Sequence, residues 1–196
     1  TFTDKAEDVV IATDGFVKDG KGSAAYTMHT SATPGNVKAV LPVDAPPNHL
    51  TSYRTELFSI LGALLLLKNL LRQHGGTWEK LSALLWCDNE AAVRKFNALA
   101  STAHYSISAA NGTDSDVLHD LRCIKASLTI EVTVQWVKSH QAECTTREAQ
   151  LNRIADRLAA TQHQVQGPWR SQPTSAMLPN TQAQLHLQGE QYTSRI

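Results

Sequence analysis

The chain has 196 residues, 42% of them apolar and 18% charged, and its 18 basic and 18 acidic residues leave a formal charge of zero. That length allows one domain with a sizeable core plus additional chain, and the balanced charge excludes a protein that grips nucleic acid by overall charge alone, so any such contact must be local or assisted by a neighbour. Cys87, Cys123 and Cys144 are odd in number, far apart and free of C-x-x-C spacing, which argues against a disulfide framework or a zinc site and for reduced thiols in an intracellular setting, cytoplasm or nucleus.

Val9–Thr13 reads as a buried strand ending on Asp14, and Gly15–Gly22 as a hairpin loop that returns through a second strand, Ser23–Thr30. A third strand is expected at Val37–Val43, closed by Pro46 and Pro47, because proline cannot serve a central strand. From Thr51 the pattern changes: Leu57, Ile60, Leu61, Leu64, Leu65, Lys68 and Leu71 recur at helical spacing, Thr51 and Ser52 can cap the start, and Gly75-Gly76 end it. This apolar stretch is broken by Ser59, Gly62, Lys68 and Asn69 and falls short of the ~20 apolar residues of a membrane span. No signal peptide is visible. Because the first residue is Thr1 rather than Met, the chain is expected to be a piece of a longer protein.

Leu81–Cys87 is a short apolar run ending on Asp88, and Glu90–Ala100 has helix-forming composition immediately after it, a strand-to-helix unit of the α/β kind. A helix over Asp116–Ser127, a β-branched strand over Ile130–Val137 and a helix over Thr146–Gln164 follow. Trp86 and Trp136 read as packed aromatics. After about Gln166 the composition shifts to Gln, Pro, Ser and Thr, so residues 1–165 are expected to form one unit, and 166–196 a linker with the start of a following module, a hairpin in AQLHLQGEQYTSRI.

Four carboxylates carry the chemistry. Asp14 and Asp88 end strands and are followed by turn residues, Gly15-Phe16 and Asn89-Glu90; Glu56 lies in the first turns of the long helix and Asp156 in the last helix. Ligands of open α/β sheets collect outside strand ends, so adjacent strands ending in Asp would aim two carboxylates into one crevice. Two such charges ~4 Å apart repel by roughly 4 kcal/mol at an effective dielectric of 20, and only bound cations make the cluster favourable. Hard oxygen donors without clustered His or Cys select Mg²⁺, with Mn²⁺ able to substitute. A pair of such ions suits in-line hydrolysis of a phosphodiester.

In that order and on those elements, ATDGF, TSYRTELFSILGAL, LLWCDNEAAV, VTVQWVKSHQ and LNRIADRLA resemble a type 1 ribonuclease H, over about Asp8 to Gln164. The resemblance implies an α/β fold with a mixed five-stranded sheet, three antiparallel strands and then two parallel, flanked by helices. It also implies an enzyme that cuts the RNA strand of an RNA–DNA hybrid, with Asp14, Glu56, Asp88 and Asp156 holding two Mg²⁺. His140 matches the family's mobile histidine, linked to water activation or product release. Asn152 and Asp156 match an N-x-x-x-D pattern on one helical face. Thr51, Ser52 and Tyr53 fall where the family contacts nucleic acid, Asn89 beside Asp88 joins that substrate set, and Gly15 stands where a backbone N–H can approach a ribose 2′-OH.

The chain also departs from the family. Ser52 and Tyr53 replace a pattern closer to T-N-N-R-x-E, the loop Ala142–Gln150 is enlarged, and Ala98–Ser115 holds no lysine or arginine where the family carries a basic, Trp-rich gripping helix. With the missing Met and the continuation into PNTQAQLHLQGEQYTSRI, these features resemble ribonuclease H domains of retrotransposon polyproteins, in which an adjacent reverse transcriptase would hold the hybrid. Two alternatives stand beside this reading: a catalytically inactive tether of the same fold, and another nuclease of the same superfamily. Four retained acids speak against the first, and Asp14-Gly15-Phe16 in place of D-x-E speaks against proofreading exonucleases.

Overall fold

The computed structural model describes residues 9–30, 36–43, 45, 48–74, 81–99, 113–139, 146–162, 184–187 and 190–193. Its sheet starts with three antiparallel strands, β1 (Val9–Lys18), β2 (Lys21–Thr30) and β3 (Asn36–Val43). β1 does not end at Asp14: it continues to Lys18, and the loop expected over Gly15–Gly22 shrinks to Asp19-Gly20, with φ of 50° and 71°. Two successive positive φ values make a type I′ turn, whose twist matches that of the flanking strands. The exposed Lys18–Lys21 tip is therefore a solvated β-ribbon end, and the turn signal is the Asp-Gly pair alone.

Helix α1 (Ser52–His74) starts where the Thr51 hydroxyl accepts the Arg54 N–H at 3.1 Å. Its stripe of Leu57, Ile60, Leu61, Leu64 and Leu67 is buried with Val9, Ile11, Tyr26 and Met28 of the sheet. Strand β4 (Ser82–Cys87) adds parallel to β1, and β5 (Glu131–Trp136) adds parallel to β4, giving the order β3-β2-β1-β4-β5. Helix α2 (Glu90–Asn97) follows β4 directly, with the Asn89 side chain accepting the Ala92 N–H at 3.0 Å. Helix α3 is Ser115–Ser127 and α4 is Arg147–Gln162. The expected mixed five-stranded sheet flanked by helices is what forms.

Strand periodicity divides the core. Val9 and Ile11 point into the larger cluster with α1, α2 and α3, while Val10, Ala12, Leu84 and Trp86 join Val137 and Leu151 on the face of α4. Ala155 and Ala159 are fully buried, and the Ser23 hydroxyl donates to the Ala159 carbonyl at 2.7 Å, so α4 is drawn close onto β2. Strands β6 (Gln184–Leu187) and β7 (Glu190–Thr193) pair antiparallel with each other. Among the described residues no helix is long and apolar enough to cross a membrane.

Candidate active site

The parallel pairing of β1 with β4 ends at Thr13 opposite Cys87. The next residues of the two strands are Asp14 and Asp88, so the point where β1 parts from β4 places two acids side by side. Glu56 comes from the second turn of α1. One carboxylate oxygen from each of Asp14, Glu56 and Asp88 lies within 4.8 Å of the others. Asp14 and Glu56 are 5% and 3% exposed, and charges this deeply buried are costly without a counter-charge.

Gly15 is what lets the strand and helix meet. A Cβ there would stand 2.5 Å from the Glu56 backbone nitrogen and 2.5 Å from the Thr55 hydroxyl oxygen, so any side chain would push α1, and Glu56 with it, off the strand. The sequence pointed to this glycine as a ribose contact; its packing against α1 is the property the tertiary structure adds.

The electrostatics oppose ionisation. Burial, then the charges of Asp88 and Asp156, push the Asp14 carboxyl up from 3.8 to about 8. Burial, then Asp14 and Asp88, hold Glu56 well above the usual carboxylate range. The Gly15 N–H works in the other direction for both groups, as does the Cys87 thiol for Glu56, to which it donates at 3.6 Å. Burial and the nearby Glu56 charge raise the Cys87 thiol in turn. Cys87 is an ordinary apolar residue by sequence pattern; only its place one residue before Asp88 hinted at a role here.

Asp156 stands apart from the group of three on α4. It is half-buried, and its charge reaches Asp14. One turn earlier Asn152 is 6% exposed with its side-chain oxygen lacking a hydrogen-bond partner. Of the expected nucleic-acid contacts, Thr51 and Ser52 are exposed at the start of α1. Tyr53 is half-buried against the core, and burial and the Asp114 charge raise its hydroxyl pKa. Asn89 uses its oxygen to cap α2, and its amide nitrogen is a donor by its chemistry. His140 and most of the enlarged loop lie outside the described residues, as does most of the segment 98–115.

Trp136, expected to be packed, is 51% exposed, because β5 is an edge strand and its last residue reaches the rim of the sheet. Arg54, two residues before Glu56, is 3% exposed and hydrogen-bonds Asp114 at 3.2 Å and Asp116 at 3.0 Å, fastening the start of α3 to α1.

No family model and no curated protein sequence matches this chain. Solved structures do. LC11-RNase H1, determined in complex with an RNA/DNA hybrid, is 13% identical with a TM-score of 0.54, over 78% of this chain and 94% of that one. RNase H1 from the halophilic archaeon Halobacterium salinarum NRC-1 is 14% identical with a TM-score of 0.54, over 80% and 97%. The prototype foamy virus protease-reverse transcriptase is 14% identical with a TM-score of 0.56, over 82% of this chain and 21% of that one. Likeness at this identity shows the fold, which is that of ribonuclease H.

Proposed function

We propose that this chain is a metal-dependent endonuclease that hydrolyses the RNA strand of RNA–DNA hybrids. The observation that carries the reading is the convergence of Asp14, Glu56 and Asp88 within 4.8 Å at the place where β1 parts from β4. Two buried carboxyls whose pKa values are driven upward by burial and by neighbouring acids form a poor structural cluster and a good cation trap. Their donors are hard oxygens, which fit Mg²⁺ and admit Mn²⁺.

Asp14, Glu56 and Asp88 would hold the ions, with Asp156 completing the set from α4. When bound, two divalent ions supply the positive charge that activates a water and stabilises the leaving oxygen of a phosphodiester. The protein's own part is positional. β1 and α1, locked together at Gly15, aim Asp14 and Glu56. Thr51, Ser52 and Tyr53 at the start of α1, the amide nitrogen of Asn89 and the unpartnered oxygen of Asn152 would orient the strands, and the Gly15 backbone would meet a ribose 2′-OH. His140 would handle a proton during water activation or product release.

The neutral overall charge, and the absence of lysine and arginine from Ala98–Ser115, support a setting in which a neighbouring reverse transcriptase contributes to hybrid binding. In that setting residues 1–165 are the catalytic unit of an intracellular retroelement polyprotein, and 166–196 lead into a further module.

A labelled RNA–DNA hybrid, double-stranded RNA and single-stranded DNA, each with Mg²⁺, Mn²⁺ or EDTA, test the reading. Cutting of the RNA in the hybrid alone, stopped by EDTA, is expected. Preferential cutting of DNA, or no cutting with either ion at high protein concentration, would overturn it.

A further inference from the structure

Trp136 is the last residue of β5 and pairs with Cys87, one residue from Asp88. Its indole Nε1–H donates to the Asp88 carbonyl at 2.9 Å, yet half of the residue, 51%, faces water. Tryptophan is ordinarily one of the most deeply covered side chains, and its single polar atom is already satisfied here. What remains open is the aromatic face, held still by the hydrogen bond at its edge. Among the described residues the other exposed large apolar side chains are Val37 at 36%, on the opposite edge strand, and Leu65 at 38%, more than two turns beyond Glu56. Trp136 alone borders the acids.

We propose that Trp136 is an aromatic subsite for the cleaved strand, taking the sugar and base edge of a nucleotide one or two steps from the phosphate held at Asp14, Glu56 and Asp88. This rests on the nuclease reading above. The spacing suits it: neighbouring strands lie ~4.8 Å apart, and successive nucleotides advance ~3.4 Å along one strand. A strand with one phosphate at the acids thus brings its next sugars across the end of β5. The energetics suit it too. A chain with no net charge has little long-range attraction for a polyanion, and a fixed aromatic face offers contact that does not depend on base identity. Because the ring is already held at Asp88, little side-chain freedom is lost on binding.

The test uses the full chain and a short RNA–DNA hybrid. Trp136→Leu keeps an apolar side chain without the aromatic face or the N–H, and is expected to raise KM for the hybrid about tenfold, with a loss of kcat no different from that of Trp136→Phe. Trp136→Phe keeps a ring without the N–H, and is expected to hold KM near that of the unaltered protein and to lower kcat through a looser Asp88. In EDTA, where the hybrid binds uncut, titration should quench tryptophan emission in the unaltered protein and lose most of that quenching in Trp136→Phe. An unchanged KM in Trp136→Leu, or equal quenching in Trp136→Phe, overturns the subsite while hybrid cleavage by the unaltered protein leaves the nuclease reading standing. If that protein neither binds nor cuts hybrid, both fall. Should Trp136→Leu fail to fold by circular dichroism, the quenching comparison decides alone.

Discussion

Two acidic clusters grow from the start of α1, two residues apart, and they behave in opposite ways. Arg54 turns one way and gathers Asp114 and Asp116; Glu56 turns the other way and meets Asp14 and Asp88. Burial disfavours charge on Asp116, but the Arg54 hydrogen bond, the Val117 N–H and the Arg54 charge together outweigh it, and the carboxyl lies below its ordinary value. For Asp14 and Glu56 burial and neighbouring acids act together, so both carboxyls rise, and what opposes them is the Gly15 N–H and, for Glu56, the Cys87 thiol, neither of them a charge. One cluster is closed by a cation of the chain itself. The other has the composition of a group that could hold a cation from outside.

The sharpest way to break the comparison is to remove a carboxylate from the second cluster. Asp14→Asn is expected to lower hybrid cleavage by about a thousandfold, about 4 kcal/mol of barrier, and to raise the melting temperature in EDTA by relieving repulsion. A loss of metal-free stability in this variant would mean that Asp14 is held by a structural partner. Removing the cation of the first cluster should do the reverse. Arg54→Ala is expected to cost about 3 kcal/mol in urea denaturation, the lower end for a broken buried pair, since Asp116 is half-exposed and can turn to water. Arg54→Lys should recover only part of this, because one ammonium cannot replace the guanidinium fork.

Supplying the missing cation comes next in size. Mg²⁺ at about a hundred times its dissociation constant should add about 2.7 kcal/mol of stability. Calorimetry with and without EDTA reads the shift, and it should vanish in Asp14→Asn.

The smallest effect is a pH slope. Asp14 keeps its proton in the folded metal-free protein up to about pH 8, whereas in the unfolded chain it loses it near 3.8, and Glu56 is displaced in the same sense. Unfolding between those values releases protons, so the stability they contribute is complete below about pH 4 and lost as pH rises through about 8. A decline of about 1.4 kcal/mol per pH unit for each proton released is expected in EDTA, with a shallower one in Asp14→Asn. A flat profile would remove the argument that the cluster is strained without its ions.

Much of this was legible in one dimension because its causes are local. Alternating and continuous apolar runs mark β1, β4 and β5, since a strand buries residues with period two, and the leucines of α1 repeat at helical spacing. Asp14 and Asp88 stand out because a charge at the end of a buried run is an anomaly that any window of ten residues contains. Other features depend on partners far along the chain. Whether Asp19-Gly20 or the whole of Gly15–Gly22 makes the turn depends on the register of β2. That Gly15 touches α1, that Cys87 donates to Glu56, and that Arg54 closes on Asp114 and Asp116 are contacts across dozens of residues. The exposure of Trp136 follows from β5 being the sheet edge, a fact of strand order. Sequence alone therefore determined which residues could carry the charge and which elements could bear them, because propensity and periodicity act between neighbours. Only the tertiary structure decided which charges meet, which are neutralised by a cation of the chain and which carboxyls are driven upward by burial and neighbouring acids, because desolvation and Coulomb forces depend on distances in space.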